Sequence, residues 1–288
     1  MNAYLKNILS MTIFGTIGIF RRYLPLPSSL VAMSRGMIGM VFLLLVLLLA
    51  RKKMDGAAIR KNLPRLCFSG VCLGANWILL FEAYNFTSVA TATLCYYFAP
   101  MFIILVSPFV LKERLTAKKI ICVLVALVGM VFVSGVLDAG IGSIAELKGV
   151  LLGLAAAVLY ACVVLINKKT TGIESNDRTI VQLGVSSVVL LPYVLLTENF
   201  AEMAFTPGVV GMLIIVGILH TGIAYALYFG SLKELKAQTA AILSYIDPVL
   251  AILLSALLLR EHMSLLCGVG AVLVLGAAII SELPERRK

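Results

Sequence analysis

The sequence has few charged residues, and they are unevenly divided between the two signs. Only 13% of the 288 residues are charged against 61% that are apolar, and Lys plus Arg outnumber Asp plus Glu by 24 to 14. Soluble domains are typically about half apolar and about a quarter charged. The composition therefore excludes an ordinary soluble domain, and the mean hydropathy of +1.05 indicates a membrane protein.

Signatures of enzymes and of cross-linked proteins are also missing. The chain contains no glycine-rich phosphate loop, no paired metal ligands and no nucleophile–base pattern. The cysteines lie in or beside apolar segments without paired spacing, which predicts apolar filler side chains rather than disulfides or metal ligands. They are Cys67, Cys72, Cys95, Cys122, Cys162 and Cys267. We therefore predict that the protein is not an enzyme and carries no cofactor or metal.

Apolar residues, in contrast, are abundant and form ten segments of about 20 residues, the length that crosses about 30 Å of hydrocarbon. The segments cover residues 7–24, 29–50, 65–84, 88–111, 117–136, 148–167, 178–197, 207–229, 237–259 and 264–282. No connection between them is long enough for a folded soluble domain. The sequence therefore predicts an all-α integral membrane protein with ten transmembrane helices in the lipid bilayer.

Two stretches, residues 91–116 and 239–264, repeat each other at a shift of 148 residues. Nine of the 26 aligned positions are identical: Thr91/Thr239, Ala92/Ala240, Tyr97/Tyr245, Pro100/Pro248, Ile104/Ile252, Leu105/Leu253, Ser107/Ser255, Leu111/Leu259 and Glu113/Glu261. An odd number of spans per half makes the halves antiparallel, and such inverted halves build many secondary transporters. We therefore predict two inverted five-helix repeats, residues 1–137 and 138–288.

Basic residues are concentrated on one side of the predicted membrane. With a cytoplasmic N-terminus, nineteen of the 24 Lys and Arg residues lie inside and four lie outside, namely Arg21, Arg22, Lys148 and Arg260, with Arg35 within a span. By the positive-inside rule this asymmetry predicts that both termini are cytoplasmic. The net charge of +10 therefore reflects topology, and we predict no nucleic-acid partner.

Short motifs recur in the two halves. The first half contains AYNFTSVA at 83–90, Ala99-Pro100, LKERLT at 111–116 and GMVF at 129–132. The second contains AQTA at 237–240, Asp247-Pro248, LREH at 259–262 and Gly276. In this order and duplication, the motifs resemble the EamA domain of the drug/metabolite transporter superfamily, as two tandem domains over essentially the whole chain.

The resemblance implies a plasma-membrane carrier of small metabolites, since amino-acid and related exporters are common in that family and some members import. We expect a secondary-active or facilitative transporter that works by alternating access, in the direction of efflux, on a small-molecule substrate. Proton coupling and homodimer formation are left open.

Pro100 and Pro248 lie near the middle of the fourth and ninth spans. A proline inside a helix frees the carbonyl four residues earlier, here at Tyr96 and Ser244. Such breaks persist in a membrane where they face protein or a wet cavity. The two prolines are therefore predicted to form a pair of helix kinks, either at a central cavity or in simple packing.

Asp247 is the most informative polar residue, because its equivalent in the first half is Ala99 and the fold itself does not require an acid there. A carboxylate near the membrane midplane is costly and indicates a functional role. The alternative is a structural partner, such as Arg35, His220 or a neighbouring hydroxyl group.

Three further polar residues lie within spans. His220 and Glu82 are candidate proton carriers, because histidine titrates near neutrality and a buried carboxyl group can hold a proton. The alternatives are one hydrogen bond to a neighbouring helix for His220 and an outer-edge position in water for Glu82. Arg35 is either a structural counter-ion or the group that attracts a substrate carboxylate.

Aromatic residues cluster on the same spans. Trp77 and Tyr225 are equivalent under the shift, while Tyr97 and Tyr245 flank the prolines. Such aromatic rows typically serve packing, but two symmetry-related rings near acids could instead form a cation–π cage. The alternative function is therefore an organic-cation carrier for choline-like substrates.

The predicted substrate-binding set is Asp247, His220, Trp77, Tyr225, Tyr97, Tyr245, Glu82 and Arg35. Glu113 and Glu261 are excluded from it, because each lies beside basic residues and is expected to be an ion-paired helix end at the headgroups. An intramembrane enzyme would need a converging acid/base pair, and His220 with Asp247 is the pair that could serve.

Overall fold

The computed structural model describes residues 2–21, 23–87, 89–134, 144–258 and 265–283, and within these ranges it is helical without β-strands, as predicted. The helices of the first half are α1 (Ala3–Gly15), α2 (Ile17–Arg21), α3 (Ser28–Leu49), α4 (Gly56–Tyr84), α5 (Val89–Tyr96), α6 (Ala99–Leu111) and α7 (Ala117–Ser134). Those of the second half are α8 (Ile144–Lys169), α9 (Ser175–Thr197), α10 (Pro207–Val216), a π-helical segment (Gly217–Ile223), α11 (Ala224–Ser231), α12 (Ala237–Leu243), α13 (Ile246–Leu258) and α14 (Leu265–Glu282), with a 3₁₀ turn at Phe200–Glu202.

Seven helical stretches are long and apolar enough to cross a membrane. They are Ala3–Arg21, Ser28–Leu49, Gly56–Tyr84, Thr91–Leu111, Glu146–Lys169, Ser175–Thr197 and Pro207–Ser231. Within α14, Gly268–Ser281 is a shorter apolar helix. These stretches coincide with predicted spans, while the count of ten stays a prediction. The boundary predicted between the halves, at 137/138, falls outside the described residues.

The ends of the helices meet at two faces of the bundle. At the face where α1 begins, here called the N-terminal face, Lys6 pairs with Glu234 at 3.3 Å, and Lys118 donates to the carbonyl of Leu283. At the other end, here called the opposite face, Gly149 near the start of α8 packs on Thr87, just after α4. α7 therefore begins and α14 ends at the N-terminal face, whereas α4 ends and α8 begins at the opposite face.

Close packing in the centre depends on small residues. A Cβ atom on Gly70 of α4 would lie 2.6 Å from the Cβ of Val185 on α9, and one on Gly74 would lie 2.9 Å from the carbonyl oxygen of Ser186. Such small residues allow the backbones of membrane helices to approach each other. Gly70 and Gly74 thus allow α4 to pack against α9; α4 also packs against α8, and α1 packs against α11 and α13.

The fourth and ninth predicted spans are each broken into two helices rather than kinked. The breaks lie between α5 and α6 and between α12 and α13, just before the helical turns that contain Pro100 and Pro248. The carbonyl of Ser244, expected to be free, accepts from the amide of Asp247 at 3.3 Å. The hydroxyl of Tyr245 donates to the carbonyl of Tyr97 at 3.1 Å, so the two breaks contact each other.

Candidate functional site

A cavity of about 300 Å³ lies at the centre of the bundle, where helices of both halves meet. One basic and one acidic side chain, Arg35 and Asp247, line it. Most of the remaining large side chains in its wall are aromatic. They are Phe14, Trp77, Phe81, Tyr84, Tyr96, Tyr97, Tyr160 and Tyr225. A mainly apolar cavity with a few convergent polar groups is the usual form of a small-molecule site.

The central cavity continues toward the opposite face of the bundle. A second cavity of about 830 Å³, here called the vestibule, shares Ile17, Ala32, Arg35, Phe81 and Tyr84 with the central cavity. Its further lining includes the helix ends at the opposite face, namely Arg21, Ser28 and Val89. The shared residues make the two cavities one path from that face to Arg35 and Asp247.

At the N-terminal face, the segment after α6 is fastened to the start of α12. The carboxylate of Glu113 accepts from the amides of Ala237 at 2.7 Å and Gln238 at 3.2 Å. The side chain of Gln238 donates to the hydroxyl of Ser107 at 2.8 Å in a buried contact. The expectation that Glu113 is an ion-paired helix end is therefore wrong, because it caps a helix of the other half. Glu261 lies outside the described residues.

Arg35 projects from α3 and is held by two contacts. Its Nε donates to the hydroxyl of Thr221 at 2.9 Å, and its Cζ lies 5.6 Å from the centroid of the Trp77 ring. Beside Arg35, the glycine at position 36 allows α3 to pack closely on α9. A Cβ atom on Gly36 would lie 2.6 Å from Oγ of Ser187 on α9.

Asp247 lies in the first turn of α13 and is partly exposed, in the wall of the central cavity. A helix N-terminus favours a negative charge because of its aligned peptide dipoles. Neither Arg35 nor His220 forms an ion pair with Asp247. The alternative in which Asp247 is the structural partner of one of these two residues therefore has no ion pair to support it, and the role of Asp247 stays a prediction.

Three of the residues proposed for the site do not line the central cavity. His220 is fully buried, and its Nε2 lies 2.9 Å from the hydroxyl of Thr16. Tyr245 is fully buried, with its hydroxyl group on the Tyr97 carbonyl as described above. Glu82 accepts from the hydroxyl of Tyr193 at 2.6 Å. Each therefore has a structural contact, which matches the hydrogen-bonded alternative for His220.

Trp77, Tyr225 and Tyr97 do line the cavity, together with Arg35 and Asp247. The rings of Trp77 and Tyr225 meet edge to face, with centroids 6.5 Å apart. Because the guanidinium of Arg35 already lies over Trp77, the aromatic surface expected to receive a ligand cation carries a cation of the protein.

Sequence reasoning missed several residues of this region. The rings of Tyr96 and Tyr160 pack at a tilt of 52° with centroids 5.7 Å apart, and those of Phe14 and Tyr225 meet edge to face with centroids 5.3 Å apart. The repeat gave a weak signal, because Phe14 and Tyr160 fall close together when the first and sixth spans are superimposed. Nothing in the sequence indicated that Thr221 would contact Arg35, since that contact depends on how α3 packs on the π-helical segment.

Comparison with known proteins gives a consistent result. The model of the EamA-like transporter family matches residues 1–135 and 147–282. The uncharacterized transporter YxxF of Bacillus subtilis is 27% identical over 289 residues, covering 99% of this chain and 91% of its own. An uncharacterized transporter of Archaeoglobus fulgidus is 26% identical over 276 residues, covering 95% and 94%.

A solved crystal structure superposes on this chain with a TM-score of 0.85, covering 97% of this chain and 96% of its own, at 22% sequence identity. At that identity the superposition shows a shared fold. The family match covers both halves of the sequence and agrees with the apolar helices described above. This chain is therefore a multi-pass membrane protein that belongs to the EamA-like transporter family.

Proposed function

We propose that this protein carries small zwitterionic metabolites, such as α-amino acids, across the membrane through the central cavity. The observation that carries the proposal is that Arg35 and Asp247 both lie in the wall of one largely aromatic cavity and form no ion pair with each other. A metabolite with one carboxylate and one ammonium group brings a partner for each of these charges.

The chemistry of the two side chains suits that ligand. A guanidinium presents a planar fork of donors that matches a carboxylate, and a carboxylate accepts hydrogen bonds from an ammonium group. Charges in a low-dielectric site must be paired and hydrogen-bonded to offset their desolvation. A zwitterion satisfies both at once, while the aromatic wall can receive an apolar side chain.

Alternating access between two inverted repeats is the mechanism we propose. The 148-residue shift relates α4 to α11 and α8 to α1, and both pairs, α4–α8 and α11–α1, are in contact. The same shift relates α9 to α3 and places the π-helical segment on α4. The contact between α9 and α4 thus corresponds to the contact between α3 and the π-helical segment. These exchanged contacts support a twofold relation between halves that cross the membrane in opposite senses.

In this conformation the path is open at the opposite face, and Glu113 and Gln238 join the halves at the N-terminal face. If the termini are cytoplasmic, as the positive-inside rule favours, and the protein lies in the plasma membrane, as we propose from its family, the path opens outward. We propose efflux as the direction of transport, with substrate released through the vestibule.

The organic-cation alternative has less support than the zwitterion proposal, because Arg35 lies in the same cavity and repels a ligand that carries only positive charge. The enzymatic alternative also has less support, because its acid/base pair would be His220 with Asp247 and His220 contacts Thr16 instead. If protons are coupled to transport, Asp247 is the residue proposed to carry them, because it lines the cavity and His220 does not.

A thermal-shift experiment on the purified protein tests the proposed ligand class. L-Phenylalanine should raise the melting temperature, because a ligand at 100 times its Kd stabilises the folded state by about 2.7 kcal/mol. L-Phenylalaninamide, which lacks the carboxylate, and choline should give smaller shifts. Stabilisation by choline with none by any amino acid would replace this proposal with the organic-cation carrier.

A further inference from the structure

We propose that Thr221 sets the specificity of the central cavity by holding Arg35 in the orientation that receives a carboxylate. This inference rests on the proposed function. Thr221 is fully buried and belongs to the π-helical segment between α10 and α11. It is a positioning residue, because it acts through Arg35 rather than by touching the ligand.

The π-helical segment directs two consecutive side chains to two different helical elements. His220 reaches Thr16, at the junction of α1 and α2, and Thr221 reaches Arg35 on α3. A π-helical turn is rare, and such turns are often found at functional sites. Here the segment places a hydroxyl group beside the guanidinium that lines the cavity.

The distance between Thr221 and Arg35 is fixed by backbone packing. A Cβ atom on Gly39 of α3 would lie 2.9 Å from Cγ2 of Thr221 and 3.0 Å from the amide nitrogen of Gly222. A Cβ atom on Gly222 would in turn lie 2.5 Å from Cδ1 of Phe42. The two glycines allow α3 and the π-helical segment to touch, so the Thr221 hydroxyl has a defined position against α3.

The contacts of Arg35 determine which of its donors remain for a ligand. Nε is used by Thr221, and one face of the guanidinium lies over Trp77. Within the described residues, the two terminal nitrogens of Arg35 have no hydrogen-bond partner. These two nitrogens form the end of the fork, and together they can donate to both oxygens of one carboxylate.

Loss of the Thr221 hydroxyl would release Nε and allow the guanidinium to turn over Trp77. The charge of the cavity would be unchanged, but the paired donors would no longer be fixed in one direction. Recognition of a carboxylate should weaken, whereas recognition of an ammonium group by Asp247 should not. The readout that separates positioning from a general packing defect is therefore the preference for the acid over the amide.

The fluorescence of Trp77, the single tryptophan of the chain, provides the binding signal. L-Phenylalanine and L-phenylalaninamide are titrated against the full-length protein and three variants. Thr221→Val keeps the shape without the hydroxyl, Thr221→Ser keeps the hydroxyl, and Thr221→Ala is the second deletion variant. We expect Thr221→Val and Thr221→Ala to lower the preference for the acid about tenfold, and Thr221→Ser to change it less than about twofold.

Arg35→Gln separates the two ways in which the experiment can fail. If Arg35→Gln abolishes the preference for the acid and Thr221→Val and Thr221→Ala retain it, the role of Thr221 is wrong and the proposed ligand class survives. If Arg35→Gln also retains the preference, or the unmodified protein shows none, the proposed function is wrong and this inference with it.

Discussion

Arg35 and Asp247 share a cavity but are supported differently. Arg35 is fixed by a hydrogen bond to Thr221 and by the face of Trp77. Asp247 lies at the start of α13, where the helix dipole favours its charge. Close packing also fixes its backbone, because a Cβ atom on Gly15 of α1 would lie 2.9 Å from the Asp247 carbonyl oxygen. Each residue can therefore hold one end of a zwitterion.

Replacing Asp247 should remove recognition of the ammonium group alone. We expect Asp247→Asn to weaken binding of L-phenylalanine about tenfold or more, because a hydrogen bond to a charged group contributes about 1.5–3 kcal/mol. Binding of L-phenyllactate, which has a hydroxyl group in place of the amine, should change little. Titration of Trp77 fluorescence measures both affinities.

Glu82→Gln is the matched control, because Glu82 is also a carboxylate within a predicted span but contacts Tyr193 outside the central cavity. It should leave both affinities unchanged. Equal losses in the two variants, or an equal loss for both ligands in Asp247→Asn, would contradict a direct role for Asp247.

For single residues, the sequence predicted well which side chains need a partner and poorly which side chains contact each other. A polar residue in the middle of an apolar span indicates that a partner is needed. His220 has one in Thr16, whereas for Asp247 we propose that the substrate supplies it. In a span that is apolar on all sides, periodicity does not show which face meets the cavity. The sequence therefore did not show that Asp247 lines the central cavity whereas His220 is buried against Thr16.

Among the helices, the two broken spans determine where the path is closed. α6 packs against α12 at the N-terminal face, and the Tyr245–Tyr97 hydrogen bond joins the breaks near the centre. Within the described residues, no comparable packing joins α5 to α13, and the vestibule opens at that end. Spans 4 and 9 therefore diverge from the N-terminal face toward the opposite face.

Weakening the Glu113 contact should make the conformation open at the opposite face less populated. Glu113→Gln keeps the shape of the side chain but removes the charge that accepts from Ala237 and Gln238. We expect an Ile17→Cys reporter, in the wall shared by cavity and vestibule, to react several-fold more slowly with an impermeant maleimide in the Glu113→Gln background.

Glu234→Gln is the control for that experiment. Glu234 is an acidic residue at the same face, but it pairs with Lys6 rather than joining α12 to the segment after α6. Labelling of Ile17→Cys should be unchanged by Glu234→Gln, and the parent without the reporter gives the background from native cysteines. Unchanged labelling in Glu113→Gln would show that this contact does not hold the N-terminal face closed.

The sequence predicted the positions of helical segments well and their internal breaks poorly. Length and apolar character fix a span because the bilayer sets both. The π-helical segment has no such signature, since Gly217–Ile223 continues the same predicted span and contains no proline. The prolines did indicate the breaks. The freed carbonyl of Ser244 found a local partner in the amide of Asp247, whereas the contact between the two breaks, from Tyr245 to the carbonyl of Tyr97, depended on tertiary packing.

For the whole molecule, composition and family agree on a multi-pass membrane protein. The predictions that remain at this scale, inverted repeats and alternating access, concern how two halves of one chain move. The identities at a 148-residue shift suggest how the two halves are related. How the halves move is tested by a functional measurement.

Counterflow in liposomes tests the central claim most directly, because exchange requires the same cavity to open to both sides in turn. Vesicles containing the protein are loaded with unlabelled L-phenylalanine and diluted into a trace of the radiolabelled compound. We predict transient accumulation of label that Arg35→Gln and Asp247→Asn abolish, and no accumulation of labelled choline in choline-loaded vesicles. Choline counterflow without amino-acid counterflow would contradict the account, and so would amino-acid counterflow that survives both substitutions.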